Sequence, residues 1–266
     1  MRQRKETLDV GQKSCSTQAM RSLFRYSGSK ARLIKHLPAP PVGTEAIVEP
    51  FAGSLAYGLN YRPDQLLACE ANSDVRRLIE WLVNQATEAD LAALEAKKPA
   101  DKVDVRSLGL GPEEQTLMRL MISGAYTGQL NSFLIYPQHS FDLQHLKEML
   151  PYLQTSVRLV GDDFAQGLDV QDMVDNAFYF IDPPYVGTSG GYQDKTAKKS
   201  LNEGVSADAL TEFCHKLKHP FLFTYGDGAQ ETYPAFEWHL ACVRKVPILR
   251  GGGTRDRHEY FATRFK

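Results

Sequence analysis

The 266-residue sequence lacks the patterns that mark membrane, secreted and metal-binding proteins. No apolar run approaches the length of a membrane span, and Met1 to Ala19 has no apolar signal core, so we expect a cytoplasmic protein without membrane contact. The four cysteines are isolated and the seven histidines form no ligand spacing, so we expect reduced thiols and no metal site. The G-x-G-x-x-G fingerprint is also missing, which argues against a dehydrogenase.

The chain has little net charge, −1, because 31 Lys and Arg nearly balance 32 Asp and Glu, but the two signs are unevenly distributed. Residues 1–40 carry nine Lys or Arg against two Asp or Glu, residues 243–266 carry seven against two, and the middle is acidic. If both ends lie on one face, they form a footprint for a polyanion such as DNA. A solvated tail and a charged hairpin would give the same composition.

The order of apolar segments predicts an α/β fold with a Rossmann-like sheet. Predicted helices are a segment ending at Leu37, then Leu55–Tyr61, Asn72–Val83 and Ser206–Leu217. Predicted strands are Thr44–Glu49, Gln65–Cys69, Val157–Val160, Phe178–Ile181, Phe221–Thr224 and segments near 238–246 and 258–263. We assign 22–83 and 151–266 to one catalytic domain and 1–21 to a disordered tail.

Residues 84–150 break this alternation and predict an inserted, mainly helical subdomain without strands, in which Glu113–Met121 is the clearest helix. Between its helices, residues 123–138 are polar and aromatic without a period, which suits contact with bases better than a core. Tyr126 and Asn131 are candidates for that contact. Residues 186–204 are predicted to form a second loop, rich in Gly and Lys, in which Tyr192 is a candidate for contact with nucleic acid.

The most informative motif is Asp182-Pro183-Pro184-Tyr185, directly after the apolar run 177–181. In open α/β sheets, ligands bind where strands end. A carboxylate and a backbone carbonyl can accept the two hydrogens of an exocyclic amine while an aromatic ring stacks on the base. The motif therefore predicts transfer of a group to that amine, and a proline turn that only ends the strand is the plainer alternative.

A second set of residues predicts a nucleoside cofactor. Glu49 to Gly53 ends the first strand, and glycine there lets the backbone approach a ligand closely. Glu70 ends the second strand, where an acid can accept hydrogen bonds from ribose hydroxyls. Because no phosphate cradle is present, a ribose cofactor without phosphate fits best, and S-adenosylmethionine is such a cofactor.

The chain resembles the Dam-type, α-group DNA adenine-N6 methyltransferases over about residues 22–266. The resemblance is carried by Phe24–Lys30, Glu49–Gly53, Glu70–Asn72, Gly161–Phe164, Asp182–Tyr185, and the C-terminal residues Arg250, Arg255 and Glu259. Two departures stand out: Ser54-Leu55 follow where the family usually has a second glycine, and Glu70 replaces the commoner Asp.

The resemblance implies a role for each matched residue. Tyr26, Gly28 and Lys30 would lie near the methionine end of the cofactor and the base, with Glu49, Phe51 and Gly53 lining the cofactor. Glu70 would hold the ribose, and Asp163 with Phe164 the adenine. Asp182, the Pro183 carbonyl, Pro184 and Tyr185 would take a flipped adenine, Asp182 also bordering the cofactor, while Arg250 and Arg255 would contact DNA.

Taken together, the resemblance implies an S-adenosylmethionine-dependent methyltransferase sheet with helices on both faces and a target-recognition insert at 84–150. It implies methylation of double-stranded DNA at N6 of adenine, with S-adenosylhomocysteine as product and no metal. It also implies a prokaryotic or phage source and leaves room for a restriction or phage-defence partner. Cytosine-N4 or RNA adenine methylation, and a catalytically idle nucleic-acid-binding protein of the same fold, remain open.

Overall fold

The computed structural model describes residues 22–123, 130, 132–136, 138–185, 193–194, 199–200, 205–247 and 254–265. The helices are Ala56–Tyr61 (α1), Ser73–Asn84 (α2), Glu88–Ala96 (α3), Pro112–Ile122 (α4), Gln144–Ser156 (α5), Ala207–Lys216 (α6) and Ala229–Thr232 (α7), with 3-10 turns at Ile34–His36, Val105–Leu108 and Phe164–Leu168. The strands are Ala46–Glu49 (β1), Gln65–Cys69 (β2), Val103–Asp104 (β3), Leu134–Ile135 (β4), Val157–Gly161 (β5), Ala177–Ile181 (β6), Gln193–Asp194 (β7), Lys199–Ser200 (β8), Phe221–Tyr225 (β9), His239–Pro247 (β10) and Thr254–Arg264 (β11). Among these residues no helix is both long and apolar enough to cross a bilayer.

Seven strands form one sheet in the order β10-β11-β9-β6-β1-β2-β5. The five strands from β9 to β5 are parallel, and the β10–β11 hairpin adds two strands at one edge, with β11 antiparallel to β9. From β1 the chain first builds outward through β2 and β5 and then returns to the other side through β6 and β9. This reversal leaves a crevice at the carboxyl ends of β1 and β6, the usual ligand position in such sheets.

Helices cover both faces of this sheet, because alternate side chains of each central strand point to opposite sides. One face buries Ile47, Leu66 and Phe178 against α1, α2, α4 and α5, and the other buries Val48 and Tyr179 against α6 and the turn after β5. Strands buried on both faces are expected of a parallel sheet. The predicted Rossmann-like α/β class with helices on both faces is confirmed.

The insert is mainly helical, since it contains α3, α4 and most of α5. The prediction that the insert contains no strands is wrong, because β3 and β4 pair as a two-stranded antiparallel sheet. Leu91, Leu117 and Leu146 of its helices share one continuous core with β1 and β2. The insert is therefore packed on one face of the main sheet, and its role in target recognition stays a prediction.

The segment before β1 differs from the helix predicted to end at Leu37. Only Ile34–His36 forms a 3-10 turn, and the Lys30 carbonyl accepts hydrogen bonds from both the Leu33 and Ile34 amides. Gly28 has a φ of +80°, which bends the chain before a helix can start. The segment is a series of turns that brings the Lys30 side chain to the crevice.

Candidate active site

A cavity of about 330 Å³ lies at the carboxyl ends of β1, β2 and β6. Its volume is in the range of small-molecule sites. All ten residues predicted to bind a cofactor line it: Tyr26, Gly28, Lys30, Glu49, Phe51, Gly53, Glu70, Asp163, Phe164 and Asp182. These positions span more than half of the chain, so the fold brings the separate motifs to one place, and the role of each residue stays a prediction.

The turn after β1 forms one wall of this cavity. Gly53 has a φ of +49°, and a Cβ there would lie 3.1 Å from the Tyr26 ring, so glycine allows both the backbone bend and the close contact. Ser54, which with Leu55 stands where the family that the chain resembles usually has a second glycine, shares a hydrogen bond of 2.9 Å between its hydroxyl and that of Ser29. The replacement therefore ties the turn to the N-terminal segment and leaves the cavity open.

Glu70 links the ends of β2 and β1. One carboxylate oxygen accepts from the Gly53 amide at 2.9 Å and the other from the Asn72 amide at 2.8 Å, while the residue is 7% exposed. A carboxylate has more acceptor sites than these two hydrogen bonds use. Asn72 in turn caps α2 by accepting from the Asp74 and Val75 amides, which fixes the chain after Glu70.

Two aromatic rings form a flat wall beside Glu70. The Phe51 and Phe164 rings are stacked at 5.3 Å with an interplanar angle of 17°. Asp163 is exposed and caps the following 3-10 turn by accepting from the Ala165 amide at 2.9 Å. A flat ring system can lie along such a wall, with an acceptor at its edge.

Glu49 is buried at the floor of the cavity, where its Oε1 accepts from the Gly58 amide at 2.7 Å. Burial raises the pKa of Glu49 to about 8, the Gly58 hydrogen bond opposes this, and the nearby charge of Asp182 adds to it. Near neutral pH the group is therefore largely protonated, which lets it donate as well as accept a hydrogen bond.

Asp182 follows β6 and lies in a polar network. Its Oδ1 accepts from Lys30 Nζ at 2.6 Å and from the Thr224 hydroxyl at 2.9 Å. Burial raises the pKa of Asp182, whereas the Lys30 charge and the hydrogen bonds from Lys30 and Thr224 lower it and the charge of Glu259 raises it. Thr224 was not predicted, because no local pattern marks a threonine inside β9.

The Tyr185 ring is more buried than stacking with a base would require. It is 8% exposed, its hydroxyl donates to Glu259 at 2.9 Å, and its ring centroid lies 4.6 Å from that of Tyr225. Lys30 Nζ lies over the ring at 4.9 Å from the centroid. Pro184 lines the cavity and Pro183 is buried, so stacking of a base on Tyr185 stays a prediction that requires a neighbour to move.

Of the residues predicted to contact nucleic acid, only Arg255 lies within the described residues. It is exposed on β11 and paired in register with Val246 of β10. Tyr126, Asn131, Tyr192 and Arg250 lie outside the described residues. Two arginines that were not predicted, Arg244 and Arg257, flank the buried Glu259 that holds the Tyr185 hydroxyl.

Comparison with known proteins adds one weak similarity. No family model matches the chain. It is similar to the modification methylase StsI of Streptococcus sanguinis, with 21% identity over 207 aligned residues that cover 68% of this chain and 31% of that protein. The chain thus spans about a third of the length of this curated relative.

Among solved structures, the chain aligns with precorrin 8w decarboxylase from Methanobacterium thermoautotrophicum. The TM-score is 0.30 at 13% identity, over 86% of this chain and 92% of that one. At this TM-score the alignment does not identify the fold, which follows from the strand order and the packing of the sheet.

Proposed function

We propose that this protein is an S-adenosylmethionine-dependent DNA methyltransferase that acts on N6 of a flipped adenine. One observation carries the proposal: Asp182, the first residue of the amine-binding motif, lines the same cavity as Glu49, Gly53 and Glu70 of the predicted nucleoside site. Methyl transfer requires the methyl donor and the acceptor amine to bind next to each other. The fold brings the two motifs into one cavity although they are distant in sequence. The similarity to a modification methylase supports methyl transfer to DNA.

The residues present fit S-adenosylmethionine. Gly53 brings its backbone to the cavity where a side chain would crowd Tyr26. Glu70, with both oxygens oriented by backbone amides, would accept the ribose hydroxyls, and the Phe51–Phe164 wall would take the adenine. When bound, this cofactor supplies an electrophilic methyl group on a sulfonium. Double-stranded DNA is the proposed partner, and a cytoplasmic location remains part of the proposal.

The motif after β6 would activate the target amine. The lone pair of an adenine amine is delocalised into the ring, so the amine is a poor nucleophile. Hydrogen bonds from it to Asp182 and to the Pro183 carbonyl strengthen as positive charge develops on nitrogen, which stabilises the transition state more than the ground state. The base must leave the duplex first, at a cost of about a few kcal/mol.

The test is methylation of mixed-sequence DNA and RNA with isotopically labelled S-adenosylmethionine, followed by mass analysis of the nucleosides. N6-methyladenine from DNA is the expected product. N4-methylcytosine, or methylated adenine from RNA alone, would replace the proposal with one of its alternatives. Calorimetry with S-adenosylmethionine completes the test, because a catalytically idle binder that takes up no cofactor would refute the proposal altogether.

Asp182→Asn tests the central residue. An alanine there would leave the buried Lys30 ammonium without its carboxylate, which costs about 3–5 kcal/mol and confuses folding with catalysis. Asparagine also removes the charge, but it keeps the shape and one oxygen that can still accept from Lys30, while an NH₂ donor replaces the second acceptor. We expect methyl transfer to fall by at least about a hundredfold with cofactor affinity largely kept.

The matched control is Asp172→Asn, which removes an exposed carboxylate paired with Lys218 on the surface. It should transfer methyl groups at the wild-type rate. Turnover of Asp182→Asn close to that of this control would reject the proposed role of Asp182.

A further inference from the structure

Lys30 occupies two of the contacts that a target adenine would need. It is 4% exposed, and its Nζ donates to Asp182 Oδ1 at 2.6 Å while lying over the Tyr185 ring at 4.9 Å from the centroid. A bound adenine would place its amine against the same carboxylate and its ring against the same aromatic side chain. In the free protein, the Lys30 ammonium therefore supplies both an N–H donor to the carboxylate and a positive charge above the aromatic ring.

The position of Lys30 allows its side chain to leave without unfolding the segment. The backbone is held by hydrogen bonds from the Leu33 and Ile34 amides to the Lys30 carbonyl, and the preceding Ser29 hydroxyl bonds to that of Ser54. The ammonium itself is held by Asp182 and by the Gly28 carbonyl at 3.1 Å. A lysine has a flexible four-carbon stem, so its head can move while its backbone stays fixed.

We propose that the Lys30 ammonium is a stand-in for the target amine, which holds the Asp182 carboxyl group in position in the free protein and moves aside when a base enters. Lys30 is then a positioning residue that acts through Asp182. This inference rests on the proposed function, since without a target amine there is nothing for Lys30 to imitate.

The charges around Asp182 determine what happens when Lys30 is absent. Glu259 on β11 and Glu49 at the end of β1 are acids that face Asp182, and Thr224 on β9 is an uncharged donor. Arg257 lies near the Tyr185 ring, at 5.6 Å from its centroid. Among the described residues, Lys30 is the cation in direct contact with the carboxylate. Its removal leaves burial and the charge of Glu259, which both favour protonated Asp182.

The test compares two pH profiles of Lys30→Met. The profile of kcat/KM reports groups of the free enzyme, and that of kcat reports groups of the substrate complex. If Lys30 leaves on binding, the acid limb of kcat/KM should move up by about 1–3 pH units in the variant, while the acid limb of kcat stays in place. A shift in both limbs would show that Lys30 stays on Asp182 throughout, and a shift in neither would show a purely structural residue; both results overturn the inference.

Two further variants complete the experiment. Lys30→Arg keeps the positive charge and should keep the acid limb of kcat/KM near the wild-type pH, even if the bulkier head raises KM. Lys216→Met is the control, because this exposed lysine of α6 pairs only with Glu212 among the contacts described for it, and it should leave both profiles unchanged.

A readout without turnover covers the case that Lys30→Met folds poorly. Titration of wild-type protein labelled with ¹³C at aspartate carboxyls follows Asp182, with Asp182→Asn for assignment. A duplex with adenine opposite an abasic site, which favours an extruded base, should raise the pKa of Asp182 by displacing Lys30. Binding of the duplex without that change would refute the inference. Absence of cofactor uptake and of methyl transfer in the wild type would instead refute the proposed function.

Discussion

Glu49→Gln probes the buried acid at the floor of the cavity. Glu49 is 1% exposed, and its Oε1 accepts from the Gly58 amide at 2.7 Å. Glutamine has the same shape, keeps the acceptor for Gly58 and places an NH₂ group where the protonated acid carries its hydrogen. The substitution therefore removes the titration of this side chain while keeping its packing.

The pH dependence follows from the raised pKa. Burial raises the pKa of Glu49 from 4.5 to about 8. Between these values the unfolded chain has released the proton and the folded chain still holds it, so wild-type stability falls as pH rises, by about 1.4 kcal/mol per pH unit. From pH 5 to pH 8 the wild type should lose about 4 kcal/mol relative to Glu49→Gln, which has no such proton.

Urea unfolding of both proteins at pH 5, 6, 7 and 8 measures this difference, because the titrations of groups that do not interact with Glu49 cancel between them. Glu148→Gln, at an exposed position of α5, is the control and should run parallel to the wild type. A constant difference between Glu49→Gln and the wild type over this range would mean that Glu49 is ionised in the folded protein. The reasoning about burial would then be wrong.

Two further substitutions test the backbone around the site. Leu55 is fully buried at a left-handed φ of +55°, so Leu55→Gly should be more stable than Leu55→Ala by about 1 kcal/mol in urea unfolding, the reverse of the usual order of these residues in a helix. Equal stabilities would mean that the strain is relieved elsewhere. In Gly226→Ala the new Cβ would lie 2.7 Å from Tyr185 Cε2 and push the ring aside. We expect methyl transfer to fall about 10- to 100-fold with cofactor binding unchanged in calorimetry, and unchanged transfer would show that the position of the ring is not critical.

The motifs that sequence predicts well are those in which one short segment carries both the structure and the chemistry. Ala177–Ile181 is apolar throughout because the strand is buried on both faces. Asp182 follows directly, so the same short segment predicts both the strand and the site residue at its end. The same holds for Gln65–Cys69 followed by Glu70. The sheet edge then brings these ends together by topology alone.

Contacts between distant segments could not be predicted in this way. Lys30 and Asp182 are 152 positions apart, and Tyr185 and Glu259 are 74 apart. Whether Thr224 reaches Asp182 depends on β9 lying next to β6, which no local pattern specifies. The strands β3 and β4 escaped prediction for a different reason, since two residues each are too few for alternation to be visible.

The segment before β1 shows a local pattern overruled by tertiary contacts. Leu33, Ile34 and Leu37 have the spacing of a helix face, and all three are buried in the structure. In the structure the chain instead turns at Gly28 and again at Lys30, and these turns place the lysine head at the end of β6. Helix propensity is worth a fraction of a kcal/mol per residue, so the burial of Leu33, Ile34 and Leu37 in the core can outweigh it.

The enclosure of Tyr185 bears on which side chain must move when a base enters. The Tyr185 hydroxyl is bonded to Glu259, which is 2% exposed and is itself held by Arg244 and Arg257. Moving the ring would leave a buried carboxylate with one partner fewer, a cost of about 1–3 kcal/mol or more for a charged group. Moving the Lys30 head instead exchanges one N–H donor on Asp182 for another. The exchange conserves the hydrogen bond and gives up the charge of the ammonium, which the flexible lysine stem can carry towards solvent, so the proposal has Lys30 yield and Tyr185 stay.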